Sequence, residues 1–225
     1  MERKINDKEI APKSDKAIVL DLDLTLLRTF DEEDIDVLFK NDSLKGGDYA
    51  DIIYTIPEKL KNGRTGTFAT GVKRPHVRQF LEFCISYFKY VCVWSAGTRE
   101  YVLKIVKMLF KDLPSPHLIY TRDDCAVDSE GYYYKPLQKM INDPLMMGKI
   151  NERNTFILDD TPDTYMDNVE NAILIPKYDV KPDIESIEKM DHIFFMLIWY
   201  FTNPKVYNST DIRDLDKPNL FCESV

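Results

Sequence analysis

The chain has 225 residues, of which 44% are hydrophobic and 30% charged, and its formal net charge is −8 at pH 7. This length and composition are typical of a globular protein with one domain, or one domain and an insertion, and a sizeable core. The acidic balance argues against direct binding to nucleic acid, because the phosphate backbone attracts basic proteins.

Cysteine spacing and apolar segments indicate an intracellular protein. The four cysteines show no C-x-x-C spacing, so neither a zinc site nor a disulfide framework is predicted, and a reducing compartment is expected. Residues 1–15 form a charged, polar lead without the apolar region of a signal peptide, and we expect them to be flexible. The most hydrophobic run, residues 193–201, is far shorter than the roughly 20 residues that a membrane helix needs, so it predicts a core helix. We therefore expect the cytoplasm or the nucleus, and no membrane partner.

The first predicted strand is the most informative stretch of the chain. Residues 17–20 are an unbroken aliphatic run, typical of a strand buried on both faces of a parallel sheet, and Asp21 and Asp23 follow it. Side chains two residues apart in an extended chain point to the same side, so these carboxylates are expected to converge. Burying them together is costly unless a cation or a shared proton compensates. The stretch therefore predicts a metal site; two solvated acids at a surface strand end are the alternative.

Residues 28–72 are predicted to form an insertion that contains a small β-hairpin. An Asn-Gly pair at residues 62–63, typical of a tight hairpin turn, lies between the β-prone runs 52–56 and 65–70. The polar stretch at residues 41–47, to which the acidic residues 31–34 lead, is predicted to form a loop.

Apolar strands and amphipathic helices alternate after the insertion. Pro75 is predicted to open a helix whose apolar face continues to Phe88, and Thr98 is placed to cap a second helix. The other predicted elements are strands at 90–94, 117–120, 155–158 and 172–175, a small hairpin near 131–135, and a final helix of about 18 residues from Asp183. This alternation predicts an α/β domain with a largely parallel sheet.

Polar side chains follow the predicted strands at the point where each strand ends. In open α/β sheets ligands bind beyond the carboxyl ends of the strands, so these side chains are expected to share one edge. Carboxylates suit a hard cation, and oxygen ligands without histidine or cysteine favour Mg²⁺ over zinc, while hydroxyl and guanidinium groups suit an anion. The residues concerned are Asp21, Asp23, Ser95, Arg122, Asp159 and Asp160.

The segment Asp21-Leu22-Asp23-Leu24-Thr25 resembles the D-x-D-x-[TV] signature of haloacid dehalogenase-like (HAD) phosphohydrolases. Further segments narrow the resemblance to the FCP/SCP-like branch, phosphatases that act on the C-terminal domain of RNA polymerase II; they are residues 73–76, 94–96, 135–137 and 158–160. The resemblance implies a three-layer, Rossmann-like α/β fold with a central parallel sheet. It covers residues 16–202, and 203–225 would be a C-terminal extension.

The resemblance also implies catalytic roles for the acidic residues. Asp21 would be the nucleophile that forms an aspartyl-phosphate. Asp23 would protonate the leaving oxygen and then take a proton from the hydrolytic water. Mg²⁺ would bind Asp21, the backbone carbonyl of Asp23, and Asp160.

A second group of residues would hold the phosphoryl group. Ser95 and Lys135 are the main candidates, and Thr25 and Arg122 complete the phosphate-binding set that the resemblance implies. Asp159 would orient Lys135 or the metal shell. From the residues alone, Thr25 could equally be a turn hydroxyl and Arg122 a surface ion pair. His76 and His192 are expected to pack or to cap helices rather than to act as ligands.

The resemblance predicts a Mg²⁺-dependent protein serine/threonine phosphatase whose partner is a phosphorylated protein. The insertion is too short for a closing cap domain, so the site should stay open to a peptide resembling the polymerase tail. A small-molecule phosphomonoesterase and a catalytically weak scaffold of the same family are the alternatives. Two departures leave the substrate open: Asp160 is Asn in the small polymerase-tail phosphatases, and Ser95 is Thr in many relatives. The sequence does not predict the oligomeric state.

Overall fold

The computed structural model describes residues 13–40, 49, 51–189, 191–217 and 220–221. The strands are β1 (Ala17–Leu20), β2 (Leu27–Thr29), β3 (Ile53–Lys59), β4 (Thr65–Lys73), β5 (Tyr90–Trp94), β6 (Leu118–Tyr120), β7 (Ala126–Val127), β8 (Tyr133–Tyr134), β9 (Thr155–Asp159) and β10 (Ala172–Leu174). The α-helices are α1 (Glu32–Lys40), α2 (Val77–Tyr87), α3 (Arg99–Leu109), α4 (Leu137–Ile141), α5 (Ile184–Glu188), α6 (Ile193–Thr202) and α7 (Pro204–Tyr207).

The centre of the fold is a five-stranded sheet in the order β10-β9-β1-β5-β6, in which every pair of neighbours is parallel. All four residues of β1 are buried, which agrees with the unbroken aliphatic run in its sequence. Because the strands are parallel, their carboxyl ends meet at one edge. The α/β fold with a central parallel sheet is confirmed.

Side chains alternate between the two faces of the sheet and build a core on each side. Ile18 and Leu20 belong to the larger core, which includes residues of α2, α3 and α6. Val19 faces the other way and belongs to a smaller core with Leu137 of α4 and Tyr165. This alternation, with a period of two, places the sheet between two layers of helices.

The predicted hairpin is present and is part of a larger sheet. β3 and β4 pair in antiparallel fashion on either side of the predicted Asn-Gly turn, where Gly63 has a φ of 79°. β2 adds a third strand on the other edge of β4, which the sequence analysis did not foresee. We call this three-stranded unit the insertion sheet.

Helix α1 includes most of the acidic residues 31–34, and the sequence analysis did not foresee it. The carboxylate of Asp31 accepts a hydrogen bond from the backbone N–H of Asp34 at 2.9 Å, as a capping residue does. Acidic side chains in a first turn are also favoured by the helix dipole. Leu38 is fully buried in a cluster with Phe30, so tertiary packing completes the helix. The expected loop at 41–47 lies outside the described residues.

The prediction of a single helix from Asp183 is wrong, since α5 and α6 are separate. Asp183 does cap α5, because its side chain accepts a hydrogen bond from the N–H of Ser186 at 2.8 Å. Asp191 then accepts from the N–H of Ile193 at 2.9 Å and from Arg74 Nε at 2.8 Å. These bonds start a new helix at α6.

Helix α2 begins at Val77, two residues after Pro75. His76, between Pro75 and Val77, has a φ of 63°, which is not a right-handed helical conformation. His76 packs against Phe195 with ring centroids 4.4 Å apart, as expected for a packing residue. His192 is the residue that precedes α6. Thr98 precedes α3 as predicted, but its side chain makes no capping hydrogen bond.

Residues after α6 pack on the domain as far as they are described. Val206 and Ile212 belong to the larger core, and Lys16 Nζ donates to the carbonyl of Tyr207 at 2.8 Å. Most of the expected flexible lead, residues 1–12, lies outside the described residues. No helix in the described part of the chain is long and apolar enough to cross a membrane.

We predict that Phe201→Ala lowers the free energy of unfolding by about 3–5 kcal/mol, because truncating a buried aromatic residue leaves a cavity. Phe201 is fully buried, and its ring centroid lies 4.9 Å from that of Phe88 and 5.2 Å from that of Phe156. Urea denaturation measures the change. Trp199→Ala on the same helix is the control, because Trp199 is 69% exposed. Equal losses for the two variants would contradict this packing.

Candidate active site

The carboxyl edge of the central sheet brings acidic residues together. In the pairing of β1 with β9, Leu20 lies opposite Leu158, so Asp21 and Asp159 are neighbours at the strand ends. The N–H of Asp21 donates to the carbonyl of Leu158 at 3.0 Å, which continues the pairing past β1. Asp160 follows directly after β9. The parallel register therefore places three carboxylates at one point.

Lys135 joins two of these carboxylates. Its Nζ lies 2.6 Å from Asp21 Oδ1 and 2.6 Å from Asp159 Oδ2, and only 5% of its side chain is exposed. Burial alone would lower the pKa of Lys135, but the two carboxylates outweigh it and raise that pKa above its ordinary value. The side chain is therefore an ammonium group held between two acids.

Oxygens of Asp21, Asp159 and Asp160 lie within 4.8 Å of one another. Burial raises the pKa of Asp21 above its ordinary value, with Lys135 opposing the shift, and burial followed by the neighbouring Asp159 raises the pKa of Asp160. The ammonium group of Lys135 compensates only part of this buried negative charge. A set of carboxylate oxygens without histidine or cysteine fits a hard divalent cation such as Mg²⁺.

Two threonines hold the Asp160 carboxylate. Thr25 Oγ1 donates to Oδ1 at 3.3 Å, and Thr161 Oγ1 donates to Oδ2 at 3.0 Å. The loop that carries Thr25 is fixed in turn by buried Arg74, whose guanidinium donates to the carbonyl of Thr25 at 3.1 Å. Thr25 was expected to contact phosphate, and in the structure its hydroxyl faces a carboxylate.

The Asp23 carboxylate is not one of the three whose oxygens lie within 4.8 Å of one another, although its charge contributes to the raised pKa of Asp21. β1 ends at Leu20, and the chain turns at Leu24, which has a φ of 60°, so Asp21 and Asp23 do not share one regular strand. The side chain of Asp23 instead accepts hydrogen bonds from Tyr101 OH and from Thr29 Oγ1, the latter at 3.3 Å. Burial raises the pKa of Asp23 above its ordinary value, against these hydrogen bonds.

Ser95 and Arg122 lie together near the same edge, after β5 and β6. Ser95 is buried, and its Oγ accepts from the N–H of Gly97 at 3.0 Å. Arg122 is exposed, donates from Nε to the carbonyl of Ala96 at 2.7 Å, and lies over the ring of Tyr133. The described hydrogen bonds of Arg122 thus go to backbone rather than to a carboxylate.

Several residues of the site carry no sequence signal strong enough to find them. Thr29, Tyr54 and Tyr101 come from three different elements and meet only in the fold. Thr161 could have been found from the sequence, because its hydroxyl directly follows the Asp159-Asp160 pair and can donate a hydrogen bond to the Asp160 carboxylate.

Comparisons with known proteins bear on this site. The model of a family described as NLI interacting factor-like phosphatase matches residues 16–213. No curated protein sequence gives a match. One similar solved structure is that of Fcp1, described as an essential RNA polymerase II CTD phosphatase, with a TM-score of 0.51 and 17% identity over 73% of this chain and 42% of that one.

A second similar structure is a variant of fission yeast RNA polymerase II CTD phosphatase Fcp1 bound to beryllium fluoride. Its TM-score is 0.50, with 14% identity over 83% of this chain and 51% of that one. The chain thus spans about half, or less, of the length of these relatives. At such identities, the two structures show a shared HAD-like fold.

We predict that Lys135→Met destabilises the protein in the presence of EDTA by about 3–5 kcal/mol, because it leaves Asp21 and Asp159 buried without their cation. Urea denaturation at neutral pH measures the loss. Lys139→Met is the matched control, since Lys139 is exposed and donates to a backbone carbonyl. A Lys135→Met variant as stable as the control would contradict the ion-pair account.

Proposed function

Because the chain belongs to the NLI interacting factor-like phosphatase family, a branch of the HAD-like phosphatases, we propose that it is a Mg²⁺-dependent protein serine/threonine phosphatase. The observation that carries the proposal is the Lys135 ammonium held between Asp21 and Asp159 beside Asp160. This arrangement combines a candidate nucleophile, a cation for the phosphoryl group and oxygen ligands for a metal ion.

The metal ion would be held by Asp21, Asp160 and the backbone carbonyl of Asp23. Bound there, Mg²⁺ supplies positive charge that offsets the repulsion between a carboxylate nucleophile and a phosphate dianion. Asp159 is not assigned to the metal ion, although its oxygens lie near those of Asp21 and Asp160. Oδ2 accepts from Lys135 at 2.6 Å, and Oδ1 accepts from the N–H of Thr161 at 3.0 Å. We assign Asp159 to the orientation of Lys135.

The phosphoryl oxygens would be bound by Lys135, Ser95 and Arg122. Lys135 supplies a buried positive charge next to the nucleophile, where electrostatic stabilisation is strongest. Ser95 lies at the end of the neighbouring strand, and Arg122 offers guanidinium donors at the exposed rim. Thr25 contributes by fixing Asp160.

The reaction would proceed by two displacements at phosphorus. A carboxylate oxygen of Asp21 forms a bond to phosphorus while the bond to the seryl or threonyl oxygen breaks, and Asp23 gives its proton to that oxygen. The products of this step are an aspartyl-phosphate and a free hydroxyl group. Asp23 then takes a proton from water, which attacks phosphorus, releases phosphate and restores Asp21.

The substrate would be a phosphorylated peptide resembling the C-terminal domain of RNA polymerase II, on which the two Fcp1 relatives act according to their descriptions. A cleft of about 830 Å³ supports a peptide, because it runs between the insertion sheet and α3 and reaches Arg122. A phosphatase for small molecules would need a lid that covers the ligand. The insertion sheet is too short to form one, so this alternative is disfavoured. The scaffold alternative is disfavoured because Asp21, Asp23, Lys135 and Asp160 are all present.

We predict that the protein hydrolyses p-nitrophenyl phosphate and a phosphoserine peptide of the polymerase-tail type in Mg²⁺, that EDTA abolishes both activities, and that Asp21→Asn reduces both to background. The ratio of kcat/KM between the two substrates measures the preference for peptide. An inactive wild type that still binds Mg²⁺ would favour the scaffold. Activity that survives in Asp21→Asn would exclude the aspartyl-phosphate.

Beryllium fluoride, which the fission yeast relative binds, gives a test that does not depend on turnover. We expect beryllium fluoride with Mg²⁺ to raise the melting temperature of the wild type, because it mimics a phosphoryl group on the nucleophilic carboxylate. Asp21→Asn should show no such rise, and Asp128→Asn, in the exposed β7–β8 hairpin, should behave as wild type. An equal rise in Asp21→Asn would place the anion elsewhere.

A further inference from the structure

The carboxyl group of Asp23 is held by hydroxyl groups that no step of the proposed reaction uses. Tyr101 OH and Thr29 Oγ1 both bond to its Oδ1. Tyr54 OH lies 2.6 Å from Thr29 Oγ1, so a hydrogen bond between them fixes the position of the threonine hydroxyl. Within the described part of the chain, no hydrogen bond ends on Asp23 Oδ2. One oxygen is therefore occupied, and the other is left for a reacting group.

The proton count fixes the direction of this network. Each hydroxyl carries one proton, and the ionised Asp23 can only accept. Tyr101 gives its proton to Asp23. Thr29 has one proton for its contacts with Asp23 and Tyr101, so it donates to one of these two and accepts from Tyr54. All three donors lead to a single carboxylate oxygen.

The insertion sheet is built to deliver two of these hydroxyls. Thr29 in β2 and Tyr54 in β3 both lie opposite Gly71 of the central strand β4. A Cβ at Gly71 would stand 2.7 Å from Tyr54 OH, which is too close for any real contact. The absence of a side chain at this position therefore lets the Tyr54 ring cross β4 and reach Thr29. The third hydroxyl, that of Tyr101, comes from α3.

From this geometry we propose that Tyr101 and Thr29, supported by Tyr54, are positioning residues that fix the Asp23 carboxyl and reserve Oδ2 for proton transfer. The inference rests on the function proposed above and gives the insertion sheet a part in the chemistry. Their hydrogen bonds also stabilise the negative charge that stays on Asp23 after it has given up its proton, because bonds to an ionised acceptor are the stronger ones.

The step in which this positioning counts is the cleavage of the bond between phosphorus and the leaving oxygen. The bond from Asp21 to phosphorus forms, the bond to the leaving oxygen breaks, and the proton on Asp23 Oδ2 passes to that oxygen. A seryl alkoxide is a poor leaving group and needs the proton, whereas p-nitrophenolate is stable without it. A misplaced Asp23 therefore slows the phosphoserine substrate selectively.

The test compares kcat/KM for a phosphoserine peptide and for p-nitrophenyl phosphate in Mg²⁺, because kcat/KM reports the steps up to loss of the leaving group and not the later attack of water, in which Asp23 also takes part. We expect Tyr101→Phe to lower kcat/KM for the peptide about 10- to 100-fold, as for the loss of a hydrogen bond to a charged group, and kcat/KM for p-nitrophenyl phosphate less than about threefold. Thr29→Val should show the same selectivity. Tyr54→Phe, whose hydroxyl does not contact Asp23, should show a smaller loss of the same kind.

Tyr207→Phe is the matched control, because Tyr207 lies in α7 and is 45% exposed. It should leave both activities unchanged, and thermal unfolding shows whether each variant is folded. If Tyr101→Phe does not fold, Tyr54→Phe carries the test alone. Equal losses for the two substrates, or no loss, would overturn the inference and leave the proposed function intact. A wild type that hydrolyses neither substrate would overturn the proposed function, and this inference with it.

Discussion

Three carboxylates can be buried at the end of this sheet because a cation lies among them. The register of β1 against β9 forces Asp21 and Asp159 together, and their repulsion would be costly in a site of low polarity. Lys135 relieves part of that cost by bonding to both at 2.6 Å, and a divalent metal ion would relieve the remainder. Lys135 lies between the β7–β8 hairpin and α4, so these small elements position a site residue just as the sheet does.

The site has two parts that come from different regions of the chain. The sheet edge supplies the carboxylates and Lys135, which in the proposed function would hold the metal ion and the phosphoryl group. The second part is Asp23, whose carboxyl group is outside the group of three and is held by hydroxyls from the insertion sheet and α3. This separation suits two carboxyl groups with opposite tasks, since a nucleophile must be ionised when an acid must carry a proton. If the proposed function holds, the insertion sheet takes part in the chemistry as well as lining the cleft.

Much of this architecture could be predicted because its signals are local. Each core strand is an unbroken apolar run that ends in a polar residue, and parallel pairing brings those ends together whatever the loops do. The signals failed where distant contacts decide. Helix α1 is completed by Leu38 packing near Phe30, and the break before α6 depends on Asp191 bonding Arg74, more than a hundred residues earlier. The hydroxyls around Asp23 likewise have no common spacing in the sequence.

The central claim is that Asp21 carries the phosphoryl group during turnover. The most direct measurement is to quench the protein in acid during hydrolysis of a phosphoserine peptide, reduce it with borohydride, and map the modified residue by mass spectrometry. Reduction converts an aspartyl-phosphate to homoserine, so the account predicts homoserine at position 21 and none at Asp23, Asp159 or Asp160. Homoserine at another position, or turnover without any modified residue, would contradict it.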